Sequence, residues 1–301
     1  MKVSDKIKIY FFIGLILCGL KDGLAQYNKT STKERTPVKE EDSDTVSRFS
    51  YGLNLGFYFP DNHPAAFYNG SPANENKLDL ILRNPYYRKD IEDTLGYKLD
   101  SLNPYDLPSK MRYSAAYSVG FYVRYQLDKS LGLFASFNFV KLEAKDVFLL
   151  NLDLPPGWSL DPTYRQFPIW GKEKRVNIDL GISKYFQMAP KSIFFFEGGL
   201  NINNVRVIEN KIAINNTTYS LVNVYGNQTY IPNGNMQQFQ VIQGGVGFGV
   251  FATSGVRFIF SDYISMDPGA TFYWKGVNLG KYDGFRPTFN LFVRFSFKKL
   301  I

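Results

Sequence analysis

The sequence predicts an all-β chain: an eight-stranded antiparallel transmembrane β-barrel with long extracellular loops. Three observations predict it. In the last stretch, 287–298, Phe289, Leu291, Val293, Phe295 and Phe297 fill one face. Thr288, Asn290, Arg294 and Ser296 fill the other, with Phe292 the exception. Period-two alternation of that length describes a strand between two different solvents, apolar toward lipid and polar toward a lumen. Export is the second observation. Lys2, Lys6 and Lys8 precede the apolar run 9–20, and Gly23-Leu24-Ala25 supplies small residues before Gln26. This is the pattern of a signal peptide over 1–25, cleaved after Ala25. The third is the alternation of short and long connections, developed below.

Composition fits. Hydrophobic content of 45% and a mean hydropathy of −0.22 look soluble, as barrels do when loops and lumen residues dilute the lipid face. The single cysteine, Cys18, lies in the leader, so the mature chain has no thiol or disulfide chemistry. The leader carries four lysines and two aspartates, which leaves about +6 of the formal +8 on the mature chain. A positive balance suits anionic outer-membrane lipid and lipopolysaccharide phosphates. No basic stripe interleaved with aromatics suggests nucleic acid. Residues 26–48 are polar and charged and read as a flexible periplasmic tether before the barrel at 49–301.

Strand one, 49–59, sends Phe49, Tyr51, Leu53, Leu55, Phe57 and Phe59 to lipid. Strand two, 112–127, sends out Tyr113, Tyr117, Val119, Phe121 and Tyr125, and turns at Asp128-Lys129. Strand three starts at Leu131 and strand four near Lys174, with a short turn at Ala189-Pro190-Lys191. Strand five starts near Ser192, strand six spans about 242–260, and Ser261-Asp262 turns into strand seven. Strand eight closes the sheet. Long connections remain at about 60–111, 146–172, 208–238 and 276–286. Short turns on one side and long loops on the other place both termini in the periplasm. Partial alternation at Ile212, Ile214, Tyr219 and Leu221 leaves room for a hairpin in 208–238, hence for ten strands.

The leader ending in Leu24-Ala25, the glycine-spaced aromatic strands, and Gly255-Val256-Arg257-Phe258 leading to Ser261-Asp262-Tyr263-Ile264 resemble the small outer-membrane β-barrel proteins of Bacteroidota. The resemblance implies this architecture in the outer membrane of a Gram-negative bacterium. Such families include pores, adhesins and parts of secretion or assembly machines, so it names no single activity. The phrase Tyr68-Asn69-Gly70-Ser71-Pro72-Ala73-Asn74-Glu75-Asn76 in the first loop resembles a signature of a subgroup of these proteins and carries no function by itself. Asp44-Thr45, Asp93-Thr94 and Asp100-Ser101 resemble Bacteroidota O-glycosylation acceptors.

Two constellations stand out. Arg124, Arg175, Arg257 and Arg294 point inward on this phase, as do Asp179, Glu197 and Asp267. An eight-stranded barrel has room only for side chains, so these charges are expected to pair as a plug, Arg257 with Asp267 among them. In the first loop, helical segments at 77–83 and 87–95, separated by Pro85, place Leu78 and Ile81 on one face and Tyr87 and Ile91 on another. With Trp158 and Trp170 of the second long loop they make a candidate partner surface. His63, the only histidine, has no motif partner for catalysis or for a metal. No cofactor is expected. The leading expectation is a non-enzymatic envelope protein whose loops bind a partner, or which serves as a subunit of a secretion or assembly complex. A small anion-preferring pore is the alternative, and a lipid-modifying enzyme the third reading.

Overall fold

A computed structural model describes residues 48–154, 163–222 and 243–298. The leader, the tether up to residue 47, the 155–162 segment with Trp158, and 223–242 lie outside the described residues. The ring is built from β1 (Phe49–Phe59), β5 (Ala116–Gln126), β6 (Leu131–Asp153), β7 (Tyr164–Ala189), β8 (Ser192–Ile214), β10 (Val246–Ile259), β11 (Ile264–Lys275) and β12 (Arg286–Lys298). Each pairs antiparallel with its neighbours, and β8 pairs with β10 to close the circle. This is an eight-stranded antiparallel barrel of the transmembrane kind, with no sheet edge left in the ring.

The ring carries an outward apolar band. Phe49, Phe186, Phe260 and Phe297 stand exposed toward the end holding the short turns. Phe59, Tyr117, Phe139, Phe248, Trp274 and Phe289 stand exposed toward the other end. Such paired aromatic girdles mark the two membrane interfaces. On β6 the band runs from Leu131 to Phe139, roughly 23 Å at the usual strand rise and barrel tilt.

Above the band the pattern inverts. On β6, Ser136 and Asn138 point inward below, whereas Val140, Leu142, Ala144, Phe148 and Leu150 are buried inward above. The outward face changes from Phe137 and Phe139 to Lys141, Glu143 and Lys145. The same change occurs at Lys174 on β7 and Val205-Arg206 on β8. These three strands rise past the membrane as an ordinary water-soluble sheet with an apolar inside.

That inversion corrects the expected loop at 146–172. Both strands continue through it, paired from Leu131↔Lys184 up to Asn151↔Tyr164. The expected loop at 208–238 contains the suspected hairpin: β8 continues to Ile214 and turns at Asn215, in the left-handed region at φ 51°, into β9 (Thr217–Ser220). This hairpin stands above the ring and adds no strand to it. A bulge opposite Lys172/Glu173 puts one extra residue into β8 and exchanges its faces, so that Val205 is inward before it and Ile212 and Ile214 after it.

Strand two also departs from expectation. It is broken into β4 (Arg112–Tyr113) and β5, and the phase reverses across Ser114-Ala115, so Tyr113 points inward instead of to lipid. The first loop folds over the risen wall. It comprises a 3₁₀ turn (His63–Tyr68), α1 (Asp79–Leu82), α2 (Pro85–Leu95), β2 (Lys98–Leu99) and β3 (Tyr105–Asp106), with β2, β3 and β4 all pairing to β6. Pro85 opens α2 at its first turn; the Asn84 side chain accepts from the Tyr86 N–H, and Gly96 ends the helix at φ 73°.

Candidate functional site

The lumen is filled by two bidentate ion pairs and a carboxylate cage. Arg257 donates to both oxygens of Asp267 at 2.8 and 2.6 Å, and Ser296 Oγ donates to Asp267 at 3.1 Å. Arg294 grips Glu197 at 2.8 and 3.0 Å, donates through Nε to Asn54 at 3.1 Å and lies 3.6 Å over the Tyr122 ring, whose hydroxyl donates to Glu197. Asp179 accepts from Asn201 at 2.6 Å, Tyr273 at 3.0 Å and Asn138 at 3.2 Å. Arg124 stacks over Tyr185 at 4.7 Å. Phe292, the exception in the last strand, packs inward with Tyr185 and Phe195. The void lined by Asn54, Asp179, Glu197 and Arg294 is about 10 Å³, at the threshold for a single water.

Sequence reasoning missed two charges here. Lys275 donates to Asn177 and lies 4.4 Å from the Tyr273 ring. Glu173 lies beyond the assigned start of strand four and is fully buried. With them, the buried charges among the described residues are five cations and four anions. Arg175 pairs with Glu173 at 2.5 Å, not with a membrane-level acid. Tyr68 and Tyr113 also donate to Glu173, at 2.5 and 2.9 Å. Burial, then the Glu173 charge, pushes the Tyr68 phenol well above the ordinary range, so it remains a donor.

This junction is the floor of the cap. Leu78, Leu82 and Ile91 are wholly buried in a core shared with Phe67, Tyr68, Phe148 and Ile212. Leu78, Ile81 and Ile91 therefore cannot form a partner surface: the risen strands offer an apolar inner wall, and the cap buries those side chains against it. Tyr87 stays part-open beside Tyr219, centroids 6.0 Å apart, and Tyr219 donates to Asp90 at 2.6 Å. The most exposed apolar groups of the first loop are instead Tyr86 and Leu102, each 82% accessible.

The Tyr68–Asn76 phrase is a latch. Asn74 donates to the Ala66 and Phe67 carbonyls and accepts from Tyr282 at 2.9 Å, while Gln243 donates to Asn76 at 2.8 Å. It ties the first loop to the last loop and to the approach to β10. Trp170 is half-buried outside the wall and donates to Glu209 at 3.3 Å. His63 caps a turn through its backbone N–H to Asp61, with its ring 5.4 Å from Tyr282; no hydrogen bond joins that ring to a serine or carboxylate among the described residues.

Lys172 and Lys211 hold Glu209 at 2.6 and 2.7 Å and depress its carboxyl to about 2. A lowered pKa stabilises the fold above the ordinary glutamate value of 4.5, and that contribution is lost as pH falls toward about 2. A carboxyl NMR titration of the folded chain should place the Glu209 midpoint near 2. Lys172→Met with Lys211→Met should return it to the ordinary range.

Ring, apolar band and filled lumen together define a small, occluded transmembrane β-barrel with an ordered cap. No family model matches the chain, and no curated protein matches it. Among solved structures it is similar to Neisserial surface protein A at 10% identity, covering 85% of this chain and 100% of that one, with a TM-score of 0.43. The outer membrane protein OprG from Pseudomonas aeruginosa is similar at 10% identity over 84% and 98%, with a TM-score of 0.39. Ail of Yersinia pestis, in complex with the heparin analogue sucrose octasulfate, is similar at 10% identity over 83% and 99%, with a TM-score of 0.33.

Proposed function

We propose that the chain is a non-enzymatic outer-membrane barrel that holds a preformed protein-binding cap outside the cell, as a subunit of an envelope assembly. The observation that carries this reading is the cap's own core. Three strands rise beyond the membrane and a loop of about 50 residues is buried onto them, which is far more order than a connection requires. Such a surface binds without first losing the entropy of a loose loop. Tyr86, Tyr87, Leu80 and Leu102 are among the apolar groups its first loop shows to solvent. Exposed aromatics of this kind are the usual anchors of protein interfaces. The filled lumen gives no support to a pore, because the arginines that would select anions are engaged with carboxylates and aromatic rings.

Purification of the tagged protein from its native outer membrane in mild detergent tests the proposal. A stoichiometric complex above the single-chain mass is expected. Tyr86→Ser with Leu102→Ser should release the partner while the barrel stays folded. A lone particle, at or below the full-length 34.5 kDa, would overturn it.

A further inference from the structure

Among the buried cations, Arg257, Arg294 and Arg175 each hold a carboxylate. Lys275 pairs with none among the described residues, although it is wholly buried at the end of β11. A buried charge without its counter-ion is costly. The rings of Tyr273, 4.4 Å from the ammonium, and Tyr58, 5.2 Å from it, offset part of that cost and shield the group from water. The hydrogen bond of Lys275 goes to the Asn177 carboxamide, itself buried.

Asn177 stands on β7, and β8 and β10 separate that strand from β11 in the ring. The contact therefore crosses the lumen. Asn138 on β6 and Asn203 on β8 lie directly beside Asn177, and both have other partners. Asn138 donates to Asp179 at 3.2 Å. Asn203 donates to the Gly276 carbonyl at 3.0 Å, which fixes the backbone next to Lys275. Two residues from Asn177, on the same inward face, Asp179 accepts from the hydroxyl of Tyr273, the same residue whose ring covers Lys275. An amine is thus held against a carboxamide, walled by aromatic rings, with a carboxylate alongside. Such fixed contact raises the effective concentration of a nucleophile by orders of magnitude, and a lysine shielded from water is a recognised nucleophile.

We propose that Lys275 and Asn177 join in an intramolecular amide bond. The ammonium gives a proton to Asp179, and the free amine attacks Cγ of Asn177. The new Nζ–Cγ bond forms, the Cγ–Nδ2 bond breaks, and ammonia leaves. It takes the proton back from Asp179 and departs as ammonium, so the step needs no oxidant or co-substrate. The bond also removes the unpaired cation and leaves as many buried cations as buried anions among the described residues. It staples β7 to β11 through the lumen and is separate from any partner on the cap.

Intact mass measurement of the mature chain, purified from its native outer membrane, tests the assignment. The chain should be lighter than its sequence mass by one ammonia. A tryptic digest should yield 176–184 joined to 258–281, with no cleavage after Lys275. Lys275→Met should keep the full mass, as should Lys275→Arg if the methionine variant does not fold. In chain produced unfolded and refolded into micelles, the ammonia should be lost as the barrel closes, and Asp179→Asn should slow that loss at least tenfold. Three results would overturn the proposal: full mass in the folded wild-type chain; ammonia lost from Gln26 alone, with 176–184 and 258–275 released as separate peptides; or an undiminished rate in folded Asp179→Asn.

Discussion

Arg294→Met is expected to lower the stability of the barrel by about 3–5 kcal/mol, the usual cost of leaving a buried charge without its partner. The stranded group is Glu197, wholly buried and held at 2.8 and 3.0 Å by the guanidinium it would lose. Tyr122 donates a single hydrogen bond to it, which does not replace a bidentate cation. Asn54 loses a donor as well, and the Tyr122 ring loses the cation stacked on it. Adding Glu197→Gln removes the stranded charge and should recover most of the loss. Urea unfolding in detergent micelles, followed by tryptophan fluorescence, measures both variants. Equal instability in the single and double variants would mean that packing, not charge, holds this layer.

Gly171→Val is expected to open the cap and spare the ring. Gly171 faces inward on β7, and a Cβ there would lie within the Tyr68 ring. Tyr68 has nowhere to go: it is wholly buried, its hydroxyl is fixed to Glu173, and it begins the Asn74 latch. Overpacking typically costs about 1–3 kcal/mol, and here the least costly relief is to lift the 3₁₀ turn off the wall. Limited proteolysis should then cut within 60–111, whereas the wild-type cap resists. The unheated chain should still run as a folded barrel on a gel. A protease pattern like that of the wild type would show that the cap does not rest on this contact.

The two variants also show what could be read from the sequence. Strand eight was legible because its outward face is wholly apolar over Phe289–Phe297 and its inward face polar but for Phe292, and Arg294 and Glu197 could be placed inward from phase alone. Their partnership could not, since they lie 97 positions apart and only ring closure brings them together. Arg257 and Asp267 could be paired in advance because a tight turn at Ser261-Asp262 folds one onto the other. Glu173 was lost for a different reason. Above the membrane the strands keep their alternation but exchange its meaning, so 146–172 reads as a polar loop when judged by a lipid-facing standard. The same exchange hid the burial of Leu78, Ile81 and Ile91. Helical periodicity marks an apolar face, but it does not say whether that face meets a neighbour in the same chain or in another. The reversal at Tyr113 and the bulge in β8 leave no local signature that period-two reading detects.

The exchange of faces at Val140, Arg175 and Val205 acts as a waterline. Below it the wall is oily outside and wet inside; above it the order is reversed. Sinking the barrel by one strand pair would immerse Lys141, Lys174 and Arg206, and a cation on the lipid face costs up to about 2–4 kcal/mol at mid-bilayer. Raising it by the same step would lift Phe137 and Phe139 out of hydrocarbon. The molecule therefore floats at one draught, and the deck carrying Tyr86 and Leu102 rides at a set clearance above the lipid. A partner of the proposed kind would meet that deck at a fixed height above the lipid.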